Sequence, residues 1–136
     1  MQNSPCPLYI VSACLIGLCT RYDGKTRRNP FCLDMLQDAI WIPVCPEQLG
    51  GLPTPRDAAD IAGGSGDDVL SGKARVMTRN GDDVSKAFIK GAFQVLAIAR
   101  SQPVRAILLA ARSPSCGHNG VTACLLRQEG FRIQEF

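Results

Sequence analysis

Three short runs of apolar residues lack the alternation with polar residues that marks a half-exposed strand. They lie at 8–13, 40–44 and 106–110. A strand that is covered on both faces shows continuous hydrophobicity, so each run predicts a buried strand of a parallel sheet. A further strand is predicted at 131–136.

Helical spacing of apolar residues separates these strands. The Asn-Pro pair at 29–30 predicts a helix start, because asparagine caps helices and proline suits the first turn, and this helix would run to Ala39. The aspartates at 82–83 precede the longest helical pattern, which covers 84–99. A last helix is predicted at 121–128.

The segment 46–82 has a different composition, with seven of the 13 glycines. It predicts a long ordered loop with one short strand at 74–78, and a loop of this length in a compact domain is usually functional. The alternation of strands and helices predicts an α/β fold, a three-layer Rossmann-like sandwich with a mostly parallel sheet. We expect a single domain over 1–136.

Composition limits the classes of protein that fit this pattern. The chain has 136 residues, 46% of them hydrophobic and 20% charged, which is typical of one globular domain. The net charge of +3 is too small to indicate nucleic-acid binding by itself. No apolar run reaches the roughly 18 residues of a membrane span, so no membrane partner is expected.

Seven cysteines are the most unusual feature of the composition. Residues 1–8 carry no lysine or arginine, so they do not resemble the basic start of a secretory signal. We therefore expect a cytoplasmic protein, in which cysteines are more often metal ligands or reactive thiols than disulfides.

Three of these cysteines follow the ends of predicted buried strands. Cys14 follows the first run, Cys45 follows the second, and Cys116 comes shortly after the third. Parallel strands present their carboxyl ends at one edge of a sheet, where ligands bind in open α/β proteins. We therefore expect the three thiols to converge on one rim, although they are far apart in sequence.

The alternative is that the three thiols are buried independently of one another. Polar neighbours argue against it, because Glu47 lies two residues after Cys45, and Ser113 and Ser115 precede Cys116. A purely structural site has no need of a carboxylate and hydroxyls beside its thiols.

The other four cysteines have other contexts. Cys32 and Cys124 lie on predicted helices, where cysteine serves as a small core residue. Cys6 has no assigned role. Cys19 is a candidate extra ligand, or the partner of Cys14 in a thiol-redox protein, although their spacing differs from the two-residue spacing of that chemistry.

Three thiolates suit two kinds of metal centre. A structural zinc site needs four ligands, and His118, two residues after Cys116, would supply the fourth. A cubane [4Fe-4S] cluster is ordinarily held by four cysteines, so three leave one iron open. An open iron is a Lewis acid that would bind a soft thione sulfur. The residues by themselves leave a non-enzymatic zinc or iron–sulfur module as an alternative to an enzyme.

Four motifs resemble those of the thiouracil desulfidase family, and together they cover essentially the whole chain. They are VSACLIG at 11–17 with RYDG at 21–24, PVCPEQLGGLPTPR at 43–56, SPSCG at 113–117 and GVTA at 120–123. Members of the family usually have a longer stretch between the third and fourth motifs than the Gly-His-Asn-Gly found here. If that loop has been lost, the site is more open.

The resemblance implies a cofactor and a reaction. It implies a [4Fe-4S] cluster held by Cys14, Cys45 and Cys116, whose unique iron binds the sulfur of a thiolated pyrimidine such as thiouracil. Water then replaces the sulfur, which leaves as sulfide without net redox change. The expected partner is a small thiolated nucleobase, or alternatively a thiolated RNA nucleotide.

The resemblance also implies roles for two polar residues. Glu47 corresponds to the acid–base residue of the family, and Ser113 to a functional serine that orients water or the base. Ser12 and Ser115, whose hydroxyls flank the thiols, are predicted to contact the substrate.

Other polar residues keep two interpretations each. Arg21, Lys25, Arg27 and Arg28 form either a solvated face or a basic cluster that attracts an anionic substrate. Arg56 is expected to pair with a neighbouring aspartate, Asp57 or Asp60, or to contact the substrate. Trp41 is predicted to lie in the core.

Overall fold

The four strands of the main sheet all run in the same direction. The structure, a computed structural model, describes residues 6–136, so residues 1–5 of the predicted domain lie outside it. The strands of this sheet lie in the order β2-β1-β5-β6 and have these bounds: β1 Leu8–Ser12, β2 Ile40–Val44, β5 Ala106–Leu109 and β6 Ile133–Glu135. The predicted α/β fold with a mostly parallel sheet is confirmed.

Besides the main sheet, the structure describes five α-helices and a short antiparallel pair of strands. The helices are α1 Pro30–Leu36, α2 Pro46–Leu49, α3 Gly66–Leu70, α4 Ser85–Ser101 and α5 Val121–Gln128, and the pair is β3 Ala59–Ala62 with β4 Arg75–Thr78. Within the described residues, no helix has the length and apolar character that crossing a bilayer requires.

Chain topology distributes the helices over both faces of the sheet. The chain passes from β1 through α1 to β2, which lies on one side of β1 in the sheet. It later passes through α4 to β5 and through α5 to β6, which both lie on the other side of β1. Parallel crossovers are right-handed, so α1 covers one face while α4 and α5 cover the other. Helix α2 packs on α4, and α3 packs on α5.

The central strands form the core of the molecule. Every residue of β1 and β5 is buried, as expected for strands that are covered on both faces. Helix α4 turns Phe88, Val95 and Ala99 toward this core, and its other side faces solvent.

Strand β2 is less buried than its apolar sequence predicts. The predictions of a buried strand and of a core tryptophan are wrong, because Ile40 is 59% exposed and Trp41 is 41% exposed. The reason is position, since β2 is an edge strand with a neighbour on one side only.

The segment predicted as one long loop, 46–82, is the main correction to the fold. It contains α2, β3 and α3 in addition to the predicted short strand, which is observed as β4. These elements have only four or five residues each and depend on tertiary contacts with α4, α5 and each other. The spacing of apolar residues along the chain does not reveal elements this short.

The predicted start of α1 agrees with the structure, whereas the predicted cap of α4 does not. Asn29 caps α1 as predicted, because its side chain accepts a hydrogen bond of 3.0 Å from the Cys32 backbone N–H, although α1 ends at Leu36 and does not reach Ala39. Helix α4 begins after Val84 and not directly after an aspartate cap. Asp83 forms a backbone bridge with Met77, and its carboxylate accepts a hydrogen bond from the Ser85 N–H.

Candidate functional site

Three adjacent strands carry the three strand-end cysteines to one cavity. Cys14 lies in a 3-10 turn that follows β1, Cys45 lies between β2 and α2, and Cys116 lies in the turn between β5 and α5. All three line a cavity of ≈ 440 Å³. Because β2, β1 and β5 are neighbours in the sheet, the structure brings these thiols together at its carboxyl edge.

Tight backbone packing holds the turn that carries Cys116. The N–H of Gly117 donates to the Ser113 carbonyl over 2.9 Å, and the N–H of Thr122, in the first turn of α5, donates to the Ser115 carbonyl over 2.9 Å. A side chain at Gly120 would lie 2.5 Å from that same carbonyl oxygen. Glycine at this position therefore lets α5 close directly onto the turn.

The Glu47 carboxylate is held from two sides. It lies in the first turn of α2, and its Oε1 accepts a hydrogen bond of 2.9 Å from Arg56 Nε. Its Oε2 accepts a hydrogen bond of 3.1 Å from the Ser115 hydroxyl. The Arg56 and Glu47 side chains are 6% and 13% exposed, so this ion pair is shielded from solvent.

The two serines of the third motif have different positions relative to Glu47. Ser115 contacts the carboxylate directly, and its hydroxyl also lies 3.7 Å from Cys116 Sγ. Ser113 reaches Glu47 only through Ser115, since the two hydroxyls are 3.0 Å apart. Ser113 Oγ also accepts hydrogen bonds of 3.2 Å from the N–H groups of Ser115 and Cys116. The functional role predicted for Ser113 stays a prediction; the serine whose hydroxyl contacts the Glu47 carboxylate is Ser115.

Ser12 is a buried residue of the cavity lining. Its hydroxyl accepts a hydrogen bond of 3.0 Å from the Ala110 N–H, which joins the ends of β1 and β5, and the residue is 2% exposed. It also donates toward the Cys116 thiolate and so acts to lower the pKa of that thiol. Ser12 therefore faces a cysteine sulfur, and its predicted contact with substrate stays a prediction.

Burial shapes the acidity of the site thiols. Burial raises the pKa of Cys116 to about 12, against the opposing hydrogen bonds from Ser12 and Ser115. Burial and the neighbouring Cys45 raise the pKa of Cys14, while Arg27 acts to lower it. Placing three thiolates together here therefore requires a strong compensating positive charge, which bound metal provides.

The three thiols do not form a site for a single metal ion. Within residues 6–136, no three His, Cys, Asp or Glu side chains come close enough together to hold a single metal ion. The three thiols nevertheless share one cavity wall, and a cubane cluster offers a separate iron atom to each thiolate. The chemistry of this donor set therefore fits an iron–sulfur cluster.

Positive charge surrounds the thiols and Glu47. Two carboxylates, Glu47 and Asp60, line the cavity. Five guanidinium groups line it as well: Arg21, Arg27, Arg56, Arg79 and Arg112. The basic cluster of the sequence is thus divided, because Arg21 and Arg27 belong to the cavity whereas Lys25 and Arg28 are exposed beside it. An anionic group is attracted to such a surface.

Of the two interpretations of Arg56, pairing with a neighbouring aspartate is wrong, and contact with the substrate stays a prediction. Arg56 pairs with Glu47 and with neither Asp57 nor Asp60. Its position at the end of the PVCPEQLGGLPTPR motif, nine residues after Glu47, was the available signal. Within the described part of the chain, Cys19 and His118 are exposed and lie outside the cavity lining.

The remaining cysteines agree with a packing role where one was predicted. Cys32 and Cys124 are buried, whereas Cys6 is exposed. Each of the seven cysteines lies among the described residues, and each is a free thiol.

The fold and this cavity define an α/β protein that presents three thiols, two carboxylates and five arginines at the edge of a parallel sheet. The family model of the 2-thiouracil desulfurases matches residues 9–134. The chain belongs to the 2-thiouracil desulfurase family.

Two relatives give the extent of the similarity. YbbK of Bacillus subtilis (strain 168), described as an uncharacterized protein, is 37% identical over an alignment of 141 positions that covers 93% of each chain. The solved structure of a [4Fe-4S]-dependent thiouracil desulfidase, TudS, has a TM-score of 0.81 and 34% identity. That match covers 95% of this chain and 90% of the other.

Proposed function

We propose that this protein removes the sulfur of a thiolated pyrimidine and replaces it with oxygen from water, releasing sulfide. The observation that carries the proposal is the convergence of Cys14, Cys45 and Cys116 on one cavity, beside the Glu47 carboxylate. The similarity to a [4Fe-4S]-dependent thiouracil desulfidase supports it.

Three thiols and the cavity between them suit a [4Fe-4S] cluster. Cys14, Cys45 and Cys116 are the proposed ligands, and a set of three leaves one iron without a protein ligand. When bound, the cluster supplies a Lewis acid that attracts the soft sulfur of a thiocarbonyl group.

The protein's own residues handle the water and its protons. Glu47 takes one proton from the attacking water as the C–O bond forms and passes it to the sulfur. It then takes the remaining hydroxyl proton as the carbonyl forms and the C–S bond breaks, and passes it to the departing sulfide, so that thiocarbonyl and water become carbonyl and hydrogen sulfide. Ser115 donates to Glu47 Oε2 and orients the carboxylate, and Ser113 orients the Ser115 hydroxyl in turn. Ser12 lines the same cavity, where its hydroxyl would contact the substrate.

The arginines that line the cavity favour an anionic form of the substrate. A neutral thiouracil gains little from positive charge, whereas a thiolated pyrimidine that carries a phosphate is attracted by the guanidinium groups around the opening. Arg79 and Arg112 are exposed and line the cavity, which suits contact with such a phosphate. A nucleotide within RNA presents the same chemistry and is distinguished by assaying a thiolated oligonucleotide beside the mononucleotide.

Anaerobic reconstitution tests the proposal. The reconstituted protein should contain about four iron and four acid-labile sulfide per chain, as a cubane cluster requires, and should release sulfide from a thiolated pyrimidine. The cluster should be lost or degraded in each of the variants Cys14→Ser, Cys45→Ser and Cys116→Ser. Cys124→Ser is the matched control, because Cys124 is buried like Cys116 but lies outside the cavity lining.

Glu47→Gln separates an enzyme from a metal-binding module. This variant should keep the iron and lose about 100-fold or more of the rate of sulfide release, which is the scale of general acid–base catalysis. A wild-type protein that binds zinc or a cluster but releases no sulfide would establish the non-enzymatic module. A protein that stays colourless after reconstitution would refute the proposed cofactor.

A further inference from the structure

The guanidinium group of Arg56 uses all five of its N–H bonds within the protein. An arginine side chain has five N–H donors in a fixed planar fork. Nε donates to Glu47 at 2.9 Å. Nη1 donates to the Pro53 carbonyl at 3.2 Å and to Thr54 Oγ1 at 2.8 Å. Nη2 donates to the Thr20 carbonyl at 2.9 Å and lies 3.8 Å from Cys45 Sγ.

These contacts join the segments that carry two of the site cysteines. Thr20 belongs to the loop that follows the Cys14 turn, and the Arg56 backbone N–H donates to Tyr22 in the same loop over 2.8 Å. Cys45 and Glu47 lie at the start of α2. One buried side chain therefore spans the gap between the loop after β1 and the segment after β2.

We propose that Arg56 is a positioning residue of this site and does not bind the substrate. It fixes the direction of the Glu47 carboxylate and donates a hydrogen bond to the sulfur of Cys45. With a side chain that is 6% exposed and five donors already engaged, it has no donor left for a ligand. The inference rests on the proposed function, since the roles of Glu47 and Cys45 come from there.

This placement has two separable consequences. The first concerns catalysis, because a carboxylate that loses its partner can turn away from the reacting water while the substrate still binds elsewhere. The second concerns the proposed cluster, because hydrogen bonds to ligand sulfurs and nearby positive charge raise its reduction potential. A residue that only stabilises the fold would change neither quantity in the folded protein.

The test compares three variants of the reconstituted protein. Arg56→Gln removes the charge and the fork, and Arg56→Lys keeps the charge but not the fork geometry. Arg100→Gln is the charge-matched control, because Arg100 pairs with Glu129 on the surface and lies outside the cavity lining. The measurements are kcat and KM for sulfide release, and the cluster reduction potential by anaerobic titration.

Arg56→Gln should lower kcat about 10- to 100-fold with little change in KM, and should shift the reduction potential to a more negative value. Arg56→Lys should recover part of the potential but not the rate. Arg100→Gln should match the wild type in both. A rise in KM at unchanged kcat would identify Arg56 as a substrate-binding residue and overturn the proposal. Unchanged kcat and potential would overturn it as well.

A variant that fails to fold does not leave the question open. Thr54→Val removes one acceptor of Nη1 and keeps the guanidinium charge, so kcat should fall in the same direction but by less than in Arg56→Gln. A crystal structure of cluster-free Arg56→Lys provides a second measurement, and a Glu47 carboxylate in its wild-type position would contradict positioning. Wild-type protein that releases no sulfide refutes the proposed function, whereas the difference between wild type and variants tests Arg56.

Discussion

The Ser115 hydroxyl donates a hydrogen bond of 3.1 Å to the Glu47 carboxylate, and the two residues lie 68 positions apart in the chain. Glu47 follows β2 and Ser115 follows β5, and these strands flank β1 in the sheet. The contact therefore passes across the end of β1, where Cys14 lies. A carboxylate, a hydroxyl and a thiol from three different strand ends thus share one cavity wall.

Ser115→Ala should reduce the rate of sulfide release more than Ser113→Ala. Ser115 contacts Glu47 directly, and a hydrogen bond to a charged group is worth about 1.5–3 kcal/mol, so kcat should fall about 10- to 100-fold. Steady-state assays of the reconstituted variants measure the effect. Ser101→Ala, at the exposed end of α4, is the control. A wild-type rate for Ser115→Ala would show that this hydrogen bond does not matter to the reaction.

The arginines at the opening should distinguish a thiolated nucleotide from the free base. Arg79→Gln and Arg112→Gln should each raise KM for a thiouridine monophosphate about two- to fivefold, since exposed charge pairs contribute less than about 1 kcal/mol. The KM for free thiouracil should not change, and added salt should weaken nucleotide binding only. Lys90→Gln, on the exposed side of α4, is the control. Equal effects on both substrates would argue against phosphate recognition.

Gly91→Ala should displace α2 and with it Glu47. A side chain at Gly91 would lie 1.8 Å from the Pro46 carbonyl oxygen, so helix α4 cannot accept even a methyl group without moving α2. Overpacking of this kind costs about 1–3 kcal/mol of unfolding free energy. Urea unfolding gives the stability, and kcat should fall even at temperatures where the variant is fully folded. Gln94→Ala, which is exposed on the same helix, should change neither.

Two phenylalanines of α4 should differ in their contribution to stability. Phe88 is 1% exposed and Phe93 is 50% exposed. Phe88→Ala should lower the unfolding free energy by about 3–5 kcal/mol because it leaves a cavity in the core. Phe93→Ala should change it by less than about 0.5 kcal/mol. Urea denaturation of the cluster-free protein measures both, and similar losses would contradict the arrangement of α4 described here.

The cluster-free protein should lose stability as pH rises above 9. Burial, with a smaller contribution from Cys14, raises the pKa of Cys32 from 9.0 to about 11. The folded state therefore keeps this thiol proton while the unfolded chain releases it. Stability is complete below pH 9 and falls between pH 9 and 11, by at most about 1.4 kcal/mol per pH unit.

Cys32→Ala provides the matched measurement for this pH dependence. Because alanine has no proton to lose, the urea midpoint of this variant should fall less steeply from pH 8 to pH 11 than that of the wild type. Parallel curves would show that the Cys32 thiol is not responsible.

The strand-end cysteines could be read from the sequence because a strong regularity of parallel sheets applies to them. Continuous apolar runs marked β1 and β5 as buried, and parallel strands place their carboxyl ends together, so Cys14 and Cys116 were expected at one rim. The capping role of Asn29 could also be predicted from the sequence, because a cap depends on residues that are close in sequence.

Only the tertiary structure decided how the polar residues are connected. Trp41 lies in an apolar run that predicts the core, but it is exposed on an edge strand. The short elements of 46–82 depend on contacts with α4 and α5. The partner of Arg56 is Glu47 and not an adjacent aspartate, because the chain turns back between them and brings the guanidinium against the carboxylate in the first turn of α2. Sequence determines which chemical groups stand near a strand end, whereas the directions of side chains that are distant in sequence depend on how the strands and helices pack.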